Sequence, residues 1–253
     1  MTNALTRFSS RVDAYAKYRP GYPSGVVETL RSECGLTTQS VVADVGSGTG
    51  ILTELLLKNG NRVFAIEPNE AMRVFAEETL KDYQQFESVD GSAEATALPD
   101  DSVDIVIAAQ AFHWFDREKT KREFRRILKP KGWVALIWNE RRLDSTPFLR
   151  AYEDLLLQYG TDYHEVRHEN VAGKLAEFFA PHEFKLVNLD NFQYFNLAGF
   201  QGRVASASYT PEPGHPNFEA LEAGLQRIFD EHNRDGTVTF EYDTRIYYGH
   251  LGK

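Results

Sequence analysis

The chain has 253 residues, an apolar fraction of 42%, a formal charge of −9 and one cysteine, Cys34. It is long enough for a full core and too acidic for a general nucleic-acid binder, and it can form neither an internal disulfide nor a four-cysteine metal site. No stretch is both long and charge-free enough to cross a bilayer, and residues 1–11 lack the apolar core of a signal peptide, so a cytoplasmic protein with no membrane attachment is expected.

Residues 8–23, rich in Tyr, Arg, Pro and Gly, read as an irregular arm, and 24–34 as a short helix stopped by Gly35. From Val41 a strict alternation begins. The pattern predicts strands over 41–45, 62–66, 86–89, 103–109 and 133–138, with helices over 51–58, 70–80 and 117–128. Asp116 is the expected N-cap of the last helix, and Pro130-Lys131-Gly132 a turn into the fifth strand. That helix carries Lys119, Lys121, Arg122, Arg125 and Arg126, with Lys129 and Lys131 just beyond it. Asp116, Glu118 and Glu123 are interspersed, so it reads as a solvated helix with cations favourably placed at its C-terminal end.

After Asn139 the rhythm changes. Thr146-Pro147 opens a helix reaching about Tyr159, with proline at the position where its missing N–H costs nothing. Residues 184–195 read as a strand, Phe218, Leu221, Leu225, Ile228 and Phe229 as the core stripe of a helix, and 237–248 as a final edge strand. The fold expected is one α/β domain spanning 1–253, with a doubly wound, mostly parallel sheet and an antiparallel last strand. Residues 8–139 would bind a cofactor, and 140–253, with a helical insertion at about 197–233, would form the acceptor side capping one end of the sheet.

The decisive constellation is Asp44-Val45-Gly46-Ser47-Gly48-Thr49-Gly50, which ends the first strand and opens a helix. Ligands bind open α/β sheets at the carboxyl ends of the strands, and glycines there allow positive φ and close approach of the backbone. Glu67, just past the second strand, stands where a carboxylate accepts from both ribose hydroxyls of an adenosine. Ile51 occupies the place where a dinucleotide turn needs its third glycine, and a sulfonium amino acid has no pyrophosphate to seat there. S-adenosylmethionine is therefore favoured over NAD, and an NAD-dependent oxidoreductase is the weaker alternative.

These motifs, with Glu67-Pro-Asn-Glu-Ala-Met72, Gly91-Ser-Ala-Glu94, Leu98-Pro-Asp-Asp-Ser-Val-Asp104 and Leu128-Lys-Pro-Lys-Gly132, resemble the class I S-adenosylmethionine-dependent methyltransferases, which have a Rossmann-like fold. Tyr15-Ala-Lys-Tyr18-Arg-Pro-Gly-Tyr-Pro23, Gln110-Ala-Phe-His-Trp-Phe115 and Trp138-Asn-Glu-Arg141 look like the small-molecule group that includes trans-aconitate methyltransferase. The resemblance implies that Gly46, Ser47, Gly48 and Gly50 face the methionine portion, with Asp44 holding the turn or the amino group. It further implies Glu67 on the ribose, Pro68 and Met72 against the adenine, and Ser92, Ala93 and Glu94 at the adenine edge, where many members carry Asp in place of Ser92. Gln110 would line the methionine end, and Tyr15, Tyr18, Arg19 and Tyr22 would close over the cofactor.

The acceptor side is read from position. His113, just past the fourth strand, is a candidate base or substrate contact, or else packs with Phe112, Trp114 and Phe115. Trp114 would flank the acceptor or cap the core. Arg141 and Arg142 follow the fifth strand, where either could take an anionic acceptor through paired hydrogen bonds. Two classes of function stay open here: transfer of a methyl group to an oxygen of a small organic molecule, and binding of S-adenosylmethionine without transfer. No metal is expected. His164 and His168 have helical spacing with Glu165 and Glu169 beside them, but lack the metalloprotease pattern and read as a polar surface helix.

Overall fold

The computed structural model of the chain describes residues 12–161, 163, 171–207 and 209–252; the His164–His168 pair lies outside them. One seven-stranded sheet runs through the molecule in the order β3-β2-β1-β4-β5-β7-β6. Strands β1 (Val41–Val45), β2 (Arg62–Ile66), β3 (Phe86–Val89), β4 (Val103–Ala109) and β5 (Leu128–Arg141) are parallel. β6 (Phe184–Phe195) and β7 (Val238–Gly249) complete it, with β7 antiparallel to both β5 and β6. The order reverses between β1 and β4, which opens a crevice at their carboxyl ends.

Helices cover both faces because parallel strands need crossovers that return over the sheet. They are α1 (Val12–Tyr18), α2 (Gly25–Cys34), α3 (Ile51–Lys58), α4 (Glu70–Leu80), α5 (Arg117–Ile127), α6 (Pro147–Tyr159), α7 (Val171–Phe179), α8 (Leu197–Ala205) and α9 (Phe218–His232). Phe124, Phe178 and Phe179 seal one face of the sheet, and Leu30, Leu56 and Ile107 the other. A third core forms beyond the carboxyl end of β5, where Phe148 and Tyr152 of α6, Phe200 of α8 and Leu225 of α9 pack on Phe240 and Tyr242 of β7. Phe240 is fully buried there, which contributes about 2–3 kcal/mol of transfer free energy.

Four expectations are corrected. The arm is helical over Val12–Tyr18. Pro130-Lys131-Gly132 lies inside β5 as an irregularity, not before it: pairing slips from Val103↔Leu128 to Ile105↔Trp133, and Lys131 has φ +65°. α7 was not foreseen. Finally, β7 is interior and β6 is the edge. The alternation of β7 signals one half-buried face, which an interior strand also has when helices cover only one side of it.

Candidate active site

A cavity of about 330 Å³ opens at the carboxyl ends of β1, β2 and β4. The glycine turn forms its floor. Gly46 N–H and Ser47 N–H both donate to the carbonyl of Ile66, at 2.8 and 3.1 Å, which fixes the turn against β2. Gly46, Gly48 and Gly50 all have positive φ, but for different ends. A Cβ on Gly46 would come within 2.6 Å of Ala111 Cβ, and one on Gly50 within 2.7 Å of Leu80 Cδ1. A Cβ on Gly48 would find only Met72 Sδ, at 3.8 Å. Gly48 thus faces open space, whereas Gly50 is absent from the cavity wall and serves helix packing, contrary to the expectation that it faces the ligand.

Two acids meet this floor. Asp44 is 1% exposed; its Oδ2 accepts from Thr53 Oγ1 at 2.6 Å, and its Oδ1 has no hydrogen-bond partner. Burial pushes its pKa up to about 7, with Glu67 adding to the rise and the Thr53 hydrogen bond opposing it. Glu67 accepts from Gly48 N–H at 2.9 Å and Asn69 N–H at 2.8 Å. Its pKa is raised by burial, against the pull of those two N–H groups. Asn69 is also the N-cap of α4, accepting from Met72 N–H at 3.1 Å, so that Pro68, Asn69 and Met72 form one wall.

Ser92, Ala93 and Glu94 form the opposite wall. Glu94 Oε1 accepts from the N–H of Asp116 at 2.8 Å, and Ser92 pairs with Ala95 across a tight turn. Behind this loop Glu123 accepts from Thr96 N–H at 2.8 Å and Thr96 Oγ1 at 2.6 Å, with Arg126 on its other side. Burial would raise the Glu123 pKa, but Arg126 and Thr96 outweigh it and bring it to about 2.

Gln110, at φ +55°, donates from its backbone to Ile137 O at 2.9 Å and from Nε2 to Asn139 O at 3.0 Å. Asn139 in turn donates to Gly21 O at 3.1 Å, which brings Tyr22 of the arm to the cavity. Trp114 and Phe115 complete the aromatic side.

Not every candidate reaches this cavity. His113 is exposed on a short 3₁₀ turn, its ring 4.8 Å from that of Trp114, and it does not line the wall. Tyr18 and Arg19 also lie off it: Tyr18 packs on Gly202 of α8, and Arg19 donates to Ser206 O at 3.3 Å. Arg141 turns into the third core, where Nη2 meets Glu153 at 2.5 Å and Tyr163 Oη at 2.8 Å. Arg142 is engaged by Asp190, by Asp243 at 2.6 Å and by Glu241 at 3.7 Å, so its placement does not support an acceptor contact. Sequence reasoning missed Thr49, Leu52, Asn69, Ala109 and Ala111 in the wall. Of these only Asn69 carried a signal, as an N-cap residue before a helix.

The residues fit the cofactor that the resemblance implies. An unpartnered, buried carboxylate oxygen on Asp44 suits a cationic ammonium group. Glu67 has lone pairs left over after two N–H bonds, and Pro68, Met72 and Ala93 offer apolar surface for a purine. Among the described residues, no group of three or more His, Cys, Asp or Glu could hold a metal ion, and no helix is long and apolar enough to cross a membrane.

Comparison with known proteins agrees. Residues 43–136 match a family described as a methyltransferase domain. An uncharacterized methyltransferase-like protein of Schizosaccharomyces pombe is 35% identical over 185 residues, covering 71% of this chain and 68% of that one. An uncharacterized methyltransferase of Mycobacterium tuberculosis is 37% identical over 134 residues, 53% of this chain and 52% of its own. The matches therefore span from about half to two thirds of these relatives. Among solved structures, a candidate type II methyltransferase from Anaeromyxobacter dehalogenans shares the fold with a TM-score of 0.70 at 22% identity, over 93% of this chain and 99% of that one. Phosphoethanolamine N-methyltransferase 2 of Haemonchus contortus, in complex with S-adenosyl-L-methionine, has a TM-score of 0.58 at 15% identity, over 100% of this chain and 61% of that one. The chain belongs to the S-adenosylmethionine-dependent methyltransferases.

Proposed function

We propose that the protein transfers the methyl group of S-adenosylmethionine to an oxygen of a small organic acceptor, as in the group that includes trans-aconitate methyltransferase. The cofactor supplies a methyl carbon activated by a cationic sulfur. The chain must hold it, align the acceptor and exclude water, and alignment can supply about 7–11 kcal/mol of the barrier.

In this reading Asp44 takes the ammonium group through its open Oδ1, and Glu67 takes the ribose hydroxyls. Pro68, Met72, Ser92, Ala93 and Glu94 hold the adenine, while Gln110, fixed by Asn139, stands at the methyl end beside Trp114. A carboxylate acceptor needs no base; for a phenol or alcohol the candidate is His113, off the cavity wall but with its ring 4.8 Å from that of Trp114, which lines it.

The observation that carries the small-acceptor reading is the third core. Helices α6, α8 and α9 stand at the same end of the sheet as the cavity, and α8 packs on the arm helix α1, which also contacts α4 of the cavity wall; this suits an enclosed ligand better than a macromolecular surface. Transfer of labelled methyl to a panel of carboxylic acids, phenols, RNA, DNA and intact protein tests it. Label in one of the small molecules is expected. Label only in a polymer would overturn it.

A further inference from the structure

Among the described residues, three buried hydrogen-bond donors in the third core have no hydrogen-bond partner: Nη1 of Arg203, Nη1 of Arg141 and Oη of Tyr152. Arg203, on α8, is 5% exposed. Its guanidinium has one long hydrogen bond, from Nε to Tyr242 Oη at 3.3 Å, and stands 5.8 Å from the Phe240 ring. Its electrostatic neighbours are the tyrosines Tyr242, Tyr209 and Tyr152, and among the described residues it has no carboxylate partner. Arg141 shares Tyr152 and Tyr209 with it and lies 4.8 Å over the Tyr152 ring. The one carboxylate bound by Arg141 is Glu153, which also takes the hydroxyl of Tyr163 at 2.5 Å.

Among the described residues, one carboxylate, Glu153, pairs with Arg141 and none pairs with Arg203. A core chosen for packing alone would place a long apolar side chain at residue 203, since an uncompensated buried cation is among the most costly things an interior can hold. Here the two guanidinium groups share Tyr152 and Tyr209, and no anion among the described residues pairs with Arg203.

The cluster is also joined to the cofactor cavity. Arg141 and Tyr242 are register partners on β5 and β7. Tyr242 Oη donates to Gln193 at 2.8 Å, and Gln193 donates to the carbonyl of Tyr18 at 3.2 Å. Three residues along the arm, the Gly21 carbonyl receives Asn139, whose own carbonyl receives Gln110 of the cavity wall.

We infer that Arg203 and Arg141, with Tyr152, form an anion-receiving subsite that pairs with a carboxylate of the methyl acceptor, a group separate from the oxygen that is methylated. This rests on the small-acceptor reading above and specifies its substrate as an organic acid with a further nucleophilic oxygen.

The test uses the full chain with S-adenosylhomocysteine, at constant ionic strength. Thermal unfolding is followed with succinate, glutarate, citrate and benzoate, and with succinamide as a neutral match, for wild type, Arg203→Met and Arg203→Lys. At least one acid should raise the wild-type Tm, and succinamide should not. Arg203→Met should lose that response while unfolding, without acid, at or above the wild-type temperature. Arg203→Lys, which keeps the charge, should keep a weakened response even if the Met variant folds poorly. No response of wild type to any of the four acids, or an undiminished response in Arg203→Met, overturns the subsite. Once an acceptor is known, Arg203→Met should raise KM by about tenfold or more, with a smaller change in kcat. A methylated small acceptor whose KM ignores Arg203 sinks the subsite and leaves the small-acceptor reading standing. An acid response lost in Arg203→Met, with label found only in polymers, does the reverse.

Discussion

Glu67 Oε2 accepts the backbone N–H of Gly48 at 2.9 Å, so the acid that follows β2 also braces the glycine turn that follows β1. Its other oxygen accepts from Asn69, which caps α4. One carboxylate thus aligns three parts of the cavity before any ligand arrives. Glu67→Ala should weaken S-adenosylmethionine binding by about 1.5–3 kcal/mol, the usual worth of hydrogen bonds to a charged group. Isothermal titration measures this, and unchanged affinity would remove Glu67 from the site.

Gly48→Val should abolish cofactor binding yet leave the fold standing. No protein atom lies closer than 3.8 Å to the new Cβ, so the folding cost is the strain of φ +57°, about 1–2 kcal/mol, while the side chain fills ligand space. Gly50→Val is the contrast: its Cβ would meet Leu80 at 2.7 Å, and the loss should appear in Tm. Normal binding by Gly48→Val would show that this turn is not the binding turn.

With a folded-state pKa near 7, Asp44 binds its proton more tightly in the fold than in the unfolded chain. Its contribution to stability therefore falls as pH rises from about 4 to about 7 and is level above that. Its attraction for a cationic ligand runs the other way, strengthening as pH rises through 7. Asp44→Asn should flatten both profiles in ligand-free unfolding and in titrations from pH 5.5 to 8.5. A wild-type affinity independent of pH across that range would detach Asp44 from the ammonium group.

Glu123 has the opposite sign. Its pKa is held near 2, so its stabilising contribution is present above the unfolded value of about 4.3 and is lost as pH falls towards 2. Glu123→Ala should cost about 1–3 kcal/mol in denaturant unfolding, since it strands the buried N–H and hydroxyl of Thr96, while Arg126 keeps Asp100. Because Thr96 supports the loop of Ser92, Ala93 and Glu94, cofactor affinity should fall as well. A variant as stable as wild type at pH 7 would contradict this.

Arg142→Gln should leave the acceptor KM unchanged, because Arg142 is already engaged by three carboxylates of β6 and β7. With Arg142, Glu241 and Asp243 half-buried, the variant should lose about 1–3 kcal/mol of stability. A tenfold rise in KM would return Arg142 to the acceptor site.

The cofactor half was legible because its determinants are local. Positive-φ glycines and an acid at a strand end each act within a few residues of where they stand, so Gly48 and Glu67 could be read from their order, whereas Asp44 and Met72 came from the family resemblance; all four line the cavity. The acceptor half depends on pairs far apart in the chain. Nothing near Arg141 announces that Glu153 and Tyr163 will claim it, and nothing near Arg203 shows that it is buried beside Tyr242. The edge assignment failed for the same reason: whether a strand has one neighbour or two is decided by partners many residues away.

The interior position of β7 orders events in the making of the protein. Until residues 238–249 have been synthesised, β5 has a bare edge and β6 has no strand to join. The parallel half can close early around its two cores, whereas the third core must wait for Phe240 and Tyr242. A nascent or nicked chain lacking that strand would keep its cofactor floor and present two open edges to its neighbours, a state prone to aggregate rather than one that merely lacks activity.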